Sequence, residues 1–195
     1  MTKFISILFS FILVSFASLS QTNNSIEKEC RISSGVGFSS ATKNVKSVGT
    51  SIWLQLDYRL LKNISIATEF ENMTYKQPGY YNVLPVTPNE IKVYNNNFSL
   101  LLKYHFATQK KIKISFASGW TFSTRQNEYY IYENDGTTQH WFPNVSSFSD
   151  YRIPFLIEVG YPVSKKINNQ ARLKYNLNPQ NGDTYSSGVG MSIKL

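Results

Sequence analysis

The sequence predicts an all-β protein in which eight antiparallel strands run up and down in turn and close into a barrel. Three observations predict this fold: apolar residues recur with a period of two, no stretch shows the 3.6-residue period of an amphipathic helix, and short and long connections alternate. The 195 residues suffice for one domain, and only 16% of them are charged. This composition excludes a disordered or collagen-like chain, and Cys30, the single cysteine, excludes a disulfide scaffold.

The period of two is clearest at residues 51–60, SIWLQLDYRL, where apolar side chains alternate with a face that carries Asp57 and Arg59. Residues 97–106 and 111–122 alternate in the same way. Each predicted strand is at least as long as the ~9–11 residues that a tilted strand needs to cross a bilayer. The pattern predicts strands at 29–39, 48–60, 63–75, 96–107, 111–124, 150–161, 167–177 and 185–195.

The connections between these strands fall into two classes. Those after the second, fourth and sixth strands are short and basic, at 61–62, 108–110 and 162–166. Those after the first, third, fifth and seventh strands are longer, at 40–47, 76–95, 125–149 and 178–184. Short turns at one end and long loops at the other are typical of barrels that cross an outer membrane, with turns in the periplasm and loops outside.

The first twenty residues have the layout of a secretory signal peptide. Lys3 precedes an apolar run from Phe4 to Ala17, and small residues lead to Ser20. This run is shorter than the ~20 residues of a membrane-spanning helix. We therefore expect a signal peptide at 1–20 and a barrel domain at 21–195. The remaining chain keeps an excess of basic residues, but they are scattered, and we expect no nucleic-acid partner.

Charged residues fall on one face of the predicted strands, and bulky apolar residues fall on the other. A bilayer tolerates a sheet only when it is closed, and an Arg or Lys on its lipid-facing wall at midplane costs about 2–4 kcal/mol. Eight strands leave a lumen just wide enough for side chains to fill. We therefore place these residues in the lumen: Arg31, Asp57, Arg59, Glu69, Glu71, Lys103, His105, Lys113, Arg152, Glu158, Arg172, Lys174 and Lys194.

The aromatic residues of the apolar face predict the same orientation. They collect at two levels, as expected for rings that sit at the two interfaces of a bilayer. The level near the long loops holds Phe38, Phe70, Phe98, Trp120, Phe122, Tyr151 and Tyr185, and the level near the short turns holds Tyr58, Tyr104, Phe106 and Tyr161.

A signal peptide, eight alternating strands and alternating connections together cover essentially the whole chain, which resembles the small eight-stranded outer-membrane β-barrels of the OmpX and OmpA-transmembrane type. Such barrels usually end on an aromatic residue, whereas this chain ends Ile193-Lys194-Leu195. The resemblance implies a porin-like fold in the outer membrane of a Gram-negative cell envelope. It implies contact with membrane lipid and lipopolysaccharide, and leaves open a partner in an envelope complex or an extracellular ligand.

The charged residues of the predicted lumen allow two interpretations. Paired carboxylates can act as general acids and bases, but buried charges are also tolerated when they pair with one another. We favour a structural network of salt bridges and predict no catalytic residue. Only two histidines and one cysteine are present, so no metal site is predicted, and the absence of glycine-rich phosphate-binding motifs predicts no nucleotide cofactor.

The long loops are the predicted seat of any specific function. Their aromatic residues form a candidate contact patch, because Tyr and Trp dominate binding hot spots: Tyr80, Tyr81, Tyr129, Tyr130, Tyr132, Trp141 and Phe142. Packing of these rings on one another is the alternative interpretation. We predict an outer-membrane barrel with a filled polar lumen and a structural, adhesive or accessory role. A lipid-A-modifying enzyme and a narrow pore for small solutes are the alternatives.

Overall fold

The computed structural model is a closed barrel of eight antiparallel strands in chain order, in which β8 returns to pair with β1. It describes residues 29–42, 47–78, 90–106, 112–134, 139–178 and 182–195, and the predicted signal peptide lies outside these ranges. The eight-stranded up-and-down fold predicted from the sequence is confirmed. The strands are β1 (Cys30–Ala41), β2 (Ser47–Leu61), β3 (Ile64–Pro78), β4 (Glu90–Phe106), β5 (Lys113–Asn134), β6 (Gln139–Pro162), β7 (Ile167–Leu177) and β8 (Thr184–Lys194).

The seam between β1 and β8 depends on glycine. Gly35 pairs with Gly190 there, and the buried indole of Trp53 lies against both residues. A Cβ atom on Gly35 would lie 2.5 Å from Trp53 Cζ2 and 2.4 Å from the carbonyl oxygen of Val189. Only a residue without a side chain leaves room for the indole at this position.

The outer wall of the barrel is apolar. All eleven aromatic residues assigned to the two girdles are exposed, led by Trp120 and Tyr151 at 75% and 74%. Aliphatic residues such as Leu54 and Leu100 fill the wall between the girdles. An exposed apolar belt of this extent is stable in contact with lipid chains rather than water. No helix in the described ranges is long and apolar enough to cross a membrane.

Four strands extend further than the sequence predicted, and this corrects two of the predicted loops. β3 continues to Pro78 and β4 begins at Glu90, so the connection predicted at 76–95 shrinks to 79–89. β5 runs to Asn134 and β6 begins at Gln139, so most of the loop predicted at 125–149 is a paired hairpin. We call the end of the barrel with these longer connections the loop end, and the opposite end the turn end.

The extensions of β3 and β4 escaped prediction because the alternation of apolar and polar residues is inverted there. At the loop end Tyr75, Ile91 and Val93 point inward and form a buried apolar cluster with Ala41, against which Tyr129 packs. On the outward face of the same strands Lys76 is exposed. In this part of β3 and β4 the apolar residues therefore face inward and the lysines face outward, as in a soluble barrel. We call this cluster of Ala41, Tyr75, Ile91, Val93 and Tyr129 the apolar cap.

Candidate functional site in the lumen and the β5–β6 hairpin

A compact ionic cluster crosses the middle of the lumen. Glu69 and Glu71 on β3 lie opposite Arg172 and Lys174 on β7, and all four side chains are at most 1% exposed. Arg172 Nη1 lies 2.6 Å from Glu69 Oε2, and Lys174 Nζ lies 2.5 Å from Glu69 Oε1. Each cation also reaches Glu71, at 3.2 Å and 3.1 Å respectively. The four charges compensate one another, as burial in a lumen requires.

Neutral groups complete this central cluster. The Arg172 guanidinium lies 4.5 Å from the ring centroid of Trp53, a cation–π contact. Lys174 Nζ donates to Ser99 Oγ at 3.0 Å, and Ser186 Oγ donates to Glu71 Oε1 at 2.5 Å. The central cluster and the indole together fill the bore at this level.

A second ionic cluster lies nearer the turn end. Lys103 Nζ lies 2.9 Å from Asp57 Oδ1 and 2.6 Å from Glu158 Oε2. Gln55 donates to Asp57, and Ser115 donates to Glu158, so that both carboxylates have neutral donors as well. The positions along the strands place a small apolar layer between the two clusters: Ala67, Leu101, Ala117 and Leu156.

A third group of charges surrounds Glu29 at the mouth of the turn end. Arg31 and Arg59 bind this carboxylate, and Lys194 Nζ lies 3.6 Å from it. Burial alone would raise the pKa of Glu29, but the hydrogen bond from Arg31 and the charges of Arg31, Arg59 and Lys194 hold it below the ordinary value of 4.5. Glu29 was absent from the predicted lumen set, although it shares the inward parity of Arg31.

Arg152 has a partner that the sequence reasoning also missed. Its guanidinium makes two hydrogen bonds to Asp150, at 2.8 Å and 3.2 Å, and a further one to Thr184 at 2.9 Å. Asn178 also donates to Asp150. Asp150 lies two residues before Arg152 on the same strand, so the parity rule would have included it.

His105 and Lys113 differ from the other predicted lumen residues. His105 Nε2 is 2.8 Å from Ser65 Oγ and forms a hydrogen bond rather than an ion pair. Lys113 is the first residue of β5 and is exposed at the turn end. Among the described residues no group of three metal-ligating side chains comes together.

The predicted aromatic contact patch is distributed over different environments. Tyr80 and Tyr81 lie outside the described residues. Tyr129 is half-buried, packs against the apolar cap and accepts a hydrogen bond from Asn144 at 3.1 Å. The remaining members lie on paired strands of the hairpin rather than in a loop: Tyr130, Tyr132, Trp141 and Phe142. In the register Tyr132 pairs with Trp141, and Tyr130 pairs with Pro143.

Comparison with known proteins decides the class of this barrel. No protein-family model and no curated protein sequence matches the chain. Solved structures do match, among them Neisserial surface protein A, with 17% identity and a TM-score of 0.55 over 86% of this chain and 96% of that protein. The chain has the fold of an outer-membrane β-barrel. The apolar belt on its outer wall is suited to contact with the lipid of an outer membrane.

Two further structures support this assignment of the fold. Ail, the attachment invasion locus protein of Yersinia pestis, shares 12% identity and a TM-score of 0.57 over 87% of this chain and all of that protein. OprG from Pseudomonas aeruginosa shares 10% identity and a TM-score of 0.60 over 86% of this barrel and 96% of OprG. Ail has also been crystallised with the heparin analogue sucrose octasulfate. In outer-membrane barrels the turn end is periplasmic and the loop end is extracellular.

Proposed function

We propose that this barrel anchors a rigid extracellular hairpin that binds a partner by adhesion, and that the barrel itself neither conducts solutes nor catalyses a reaction. The single observation that carries the proposal is the length of β5 and β6, which have 22 and 24 residues against 11 in β7 and β8. A strand needs only ~9–11 residues to cross the membrane, so the additional length of β5 and β6 is not required for crossing.

The excess length projects away from the membrane. Phe122 pairs with Tyr151 in the upper girdle, and their ring centroids are 5.5 Å apart. From the Thr124–Ser149 pair the ladder continues to the Asn134–Gln139 pair. At ~3.3 Å per residue this is about 33 Å of paired strand beyond the lipid. A hairpin held by its own ladder loses little conformational entropy on binding, which favours affinity.

The composition of the hairpin supports a protein or uncharged glycan as the partner. Tyr130, Tyr132 and Trp141 occupy alternating register positions on one face of the ladder, and such aromatic residues supply most hot spots. Acidic residues outnumber basic ones between 125 and 149. Ail was crystallised with a polyanion, but an acidic hairpin would repel such a ligand, so we propose that this chain differs from Ail in partner charge.

The experiment removes the hairpin, including Tyr129 of the apolar cap, and leaves the membrane-spanning parts of all eight strands in place. Replacing residues 128–145 by Asn-Gly joins Asn127 to Ser146, which already pair in the ladder. Heat-modifiable gel migration verifies folding in the outer membrane. A matched triple variant, Tyr130→Ser, Tyr132→Ser and Trp141→Ser, keeps the hairpin but removes the aromatic face.

The readout is photo-crosslinking from position 134 on intact cells, together with binding of those cells to arrays of proteins and glycans. We expect the full-length barrel to capture a partner, and both variants to lose it while remaining folded. Unchanged capture by either folded variant would refute the proposal.

A further inference from the structure

A cavity of about 340 Å³ opens at the periplasmic end of the barrel. Its volume is in the ~300–1,000 Å³ range of ligand-binding pockets. Charged side chains from β1, β2, β4, β5 and β6 line it, together with the β2–β3 turn. We call this cavity the vestibule.

The vestibule is blind. Lys103, Asp57 and Glu158 form its inner wall, and the apolar layer with Leu101 and Leu156 lies beyond them. The central ionic cluster then fills the bore. A solute that enters from the periplasm therefore meets a closed end, which suits binding rather than passage.

The lining of the vestibule carries more positive than negative charge. Each of its three carboxylates has an ion-pair partner, since Glu29 binds two arginines and the other two share Lys103, although Glu158 Oε1 accepts no hydrogen bond from a described residue. Lys62 and Lys113 line the same cavity, and neither forms an ion pair with another described residue. Two ammonium groups thus face the cavity without a protein counter-ion within the described part of the chain.

Neutral side chains that can donate hydrogen bonds also line the vestibule. The side-chain nitrogen of Gln170 is buried at the cavity wall and has no acceptor among the described residues. His105 and Ser65 also line the cavity and share one hydrogen bond. A buried donor without an acceptor is costly, and an acceptor supplied by a ligand removes that cost. Two ammonium groups and one amide donor without an acceptor, around one cavity, are groups to which an oxyanion can bind.

We infer that the vestibule binds a small oxyanion from the periplasm, held by Lys62, Lys113 and Gln170 with Arg59 at the rim. Phosphate and carboxylate share the chemistry that this site recognises, since each offers several acceptor oxygens and negative charge. The inference is independent of the hairpin, because the two sites lie at opposite ends of the barrel.

The two histidines of the chain allow a direct test in the full-length mature barrel. His105 lines the vestibule, whereas His140 lies in β6 near the tip of the hairpin. Phosphate is titrated into the protein in detergent micelles at fixed pH and at an ionic strength kept constant with sodium chloride. The ring resonances of both histidines are followed by NMR, and separate arms use citrate and sulfate.

We expect saturable shifts of the His105 resonances with phosphate or citrate and none for His140. Lys113→Gln, at an exposed position, should weaken binding about tenfold because one charge-assisted contact is lost. Lys92→Gln at the other end of the barrel is the matched control and should bind as the unmodified protein does. The arm that saturates at the lower concentration identifies the preferred oxyanion.

Three results would overturn the inference: shifts that stay linear in all arms, equal shifts of both histidines, or unchanged affinity in folded Lys113→Gln and Lys62→Gln variants. Because both lysines are exposed, neither substitution removes a buried contact. Heat-modifiable migration of each variant verifies that the barrel is intact before the titration.

Discussion

At the scale of single residues, the central ionic cluster balances two carboxylates against two cations with almost no exposure to water. Glu69→Gln removes one negative charge and leaves Arg172 and Lys174 sharing Glu71 alone. Removing one partner of a buried pair costs about 3–5 kcal/mol, and we expect a loss of that size in the free energy of unfolding. Urea unfolding of the barrel in detergent, followed by gel migration, measures it.

The double variant Glu69→Gln/Lys174→Met is the control for this prediction. It removes one charge of each sign, so we expect it to be clearly more stable than Glu69→Gln alone. If Glu69→Gln unfolds at the same urea concentration as the unmodified protein, the cluster does not stabilise the barrel.

The mouth of the turn end yields a prediction about pH. The pKa of Glu29 is lower in the folded barrel than its ordinary value of 4.5, so its ionised form stabilises the fold. That contribution is complete above pH 4.5 and disappears as the pH falls through the lowered pKa. Glu29→Gln should therefore cost about 1–2 kcal/mol at pH 7, an amount between those of exposed and buried pairs.

The measurement compares the two proteins by urea unfolding at several pH values from 7 down to 3. The difference between them should shrink steadily below pH 4.5. A difference that is constant over the whole range would show that the charge of Glu29 plays no part.

At this scale the sequence predicted which charged residues face the lumen, but not which of them form ion pairs with one another. Alternation placed Glu69 and Arg172 on the inward face, yet they are 103 residues apart and meet across the bore. The pairing depends on the stagger of the closed barrel, which no local pattern encodes. Glu29 and Asp150 occupy inward positions by the same alternation, so the sequence could have predicted them. The inward position of Trp53, by contrast, depends on the space that the glycines at the seam leave for its indole.

At the scale of elements, the strands within the membrane were predicted closely, and β7 was predicted at 167–177, as observed. The extensions of β3 to β6 were not, and in β3 and β4 the reason is that the alternation of apolar and polar residues is inverted beyond the upper girdle. A rule that assigns apolar residues to the outer wall fails there, since Ile91 and Val93 point inward.

This inversion predicts that the apolar cap holds the extracellular strands together. Val93→Asp would place an unpaired charge among Tyr75, Ile91 and Ala41, at a position that is 1% exposed. We expect the extracellular strands to open locally while the membrane barrel persists, because an unpaired buried charge is strongly unfavourable.

Trypsin treatment of intact cells checks this effect, since Lys76, Lys92 and Arg125 flank the cap region. Val93→Asp should be cleaved readily at the extracellular end while its barrel still shows heat-modifiable migration. Asn96→Asp places the same charge at an exposed, outward position of β4, leaves all three cleavage sites intact and is the matched control. Equal resistance of the two variants would contradict a stabilising role of the cap.

At the scale of the whole molecule, the lumen is closed at several successive levels: the apolar cap, the central ionic cluster, the apolar layer and the Lys103 cluster. We therefore expect the barrel to show no steady conductance in planar bilayers. Removing part of the central cluster with Glu71→Ser and Lys174→Ser should raise the frequency of brief openings if the variant folds. A stable conductance step in the unmodified protein would instead establish a pore.

The most direct test concerns which face of the wall touches lipid, and three consecutive leucines on β4 provide it. Leu100 and Leu102 are 54% and 39% exposed on the outer wall, whereas Leu101 is 1% exposed in the lumen. Methyl-labelled protein in nanodiscs reports contacts to lipid acyl chains by NMR, without any substitution. The structure predicts strong acyl-chain contacts for Leu100 and Leu102 and none for Leu101. Acyl-chain contacts at Leu101, with Leu100 and Leu102 shielded from lipid, would contradict the account.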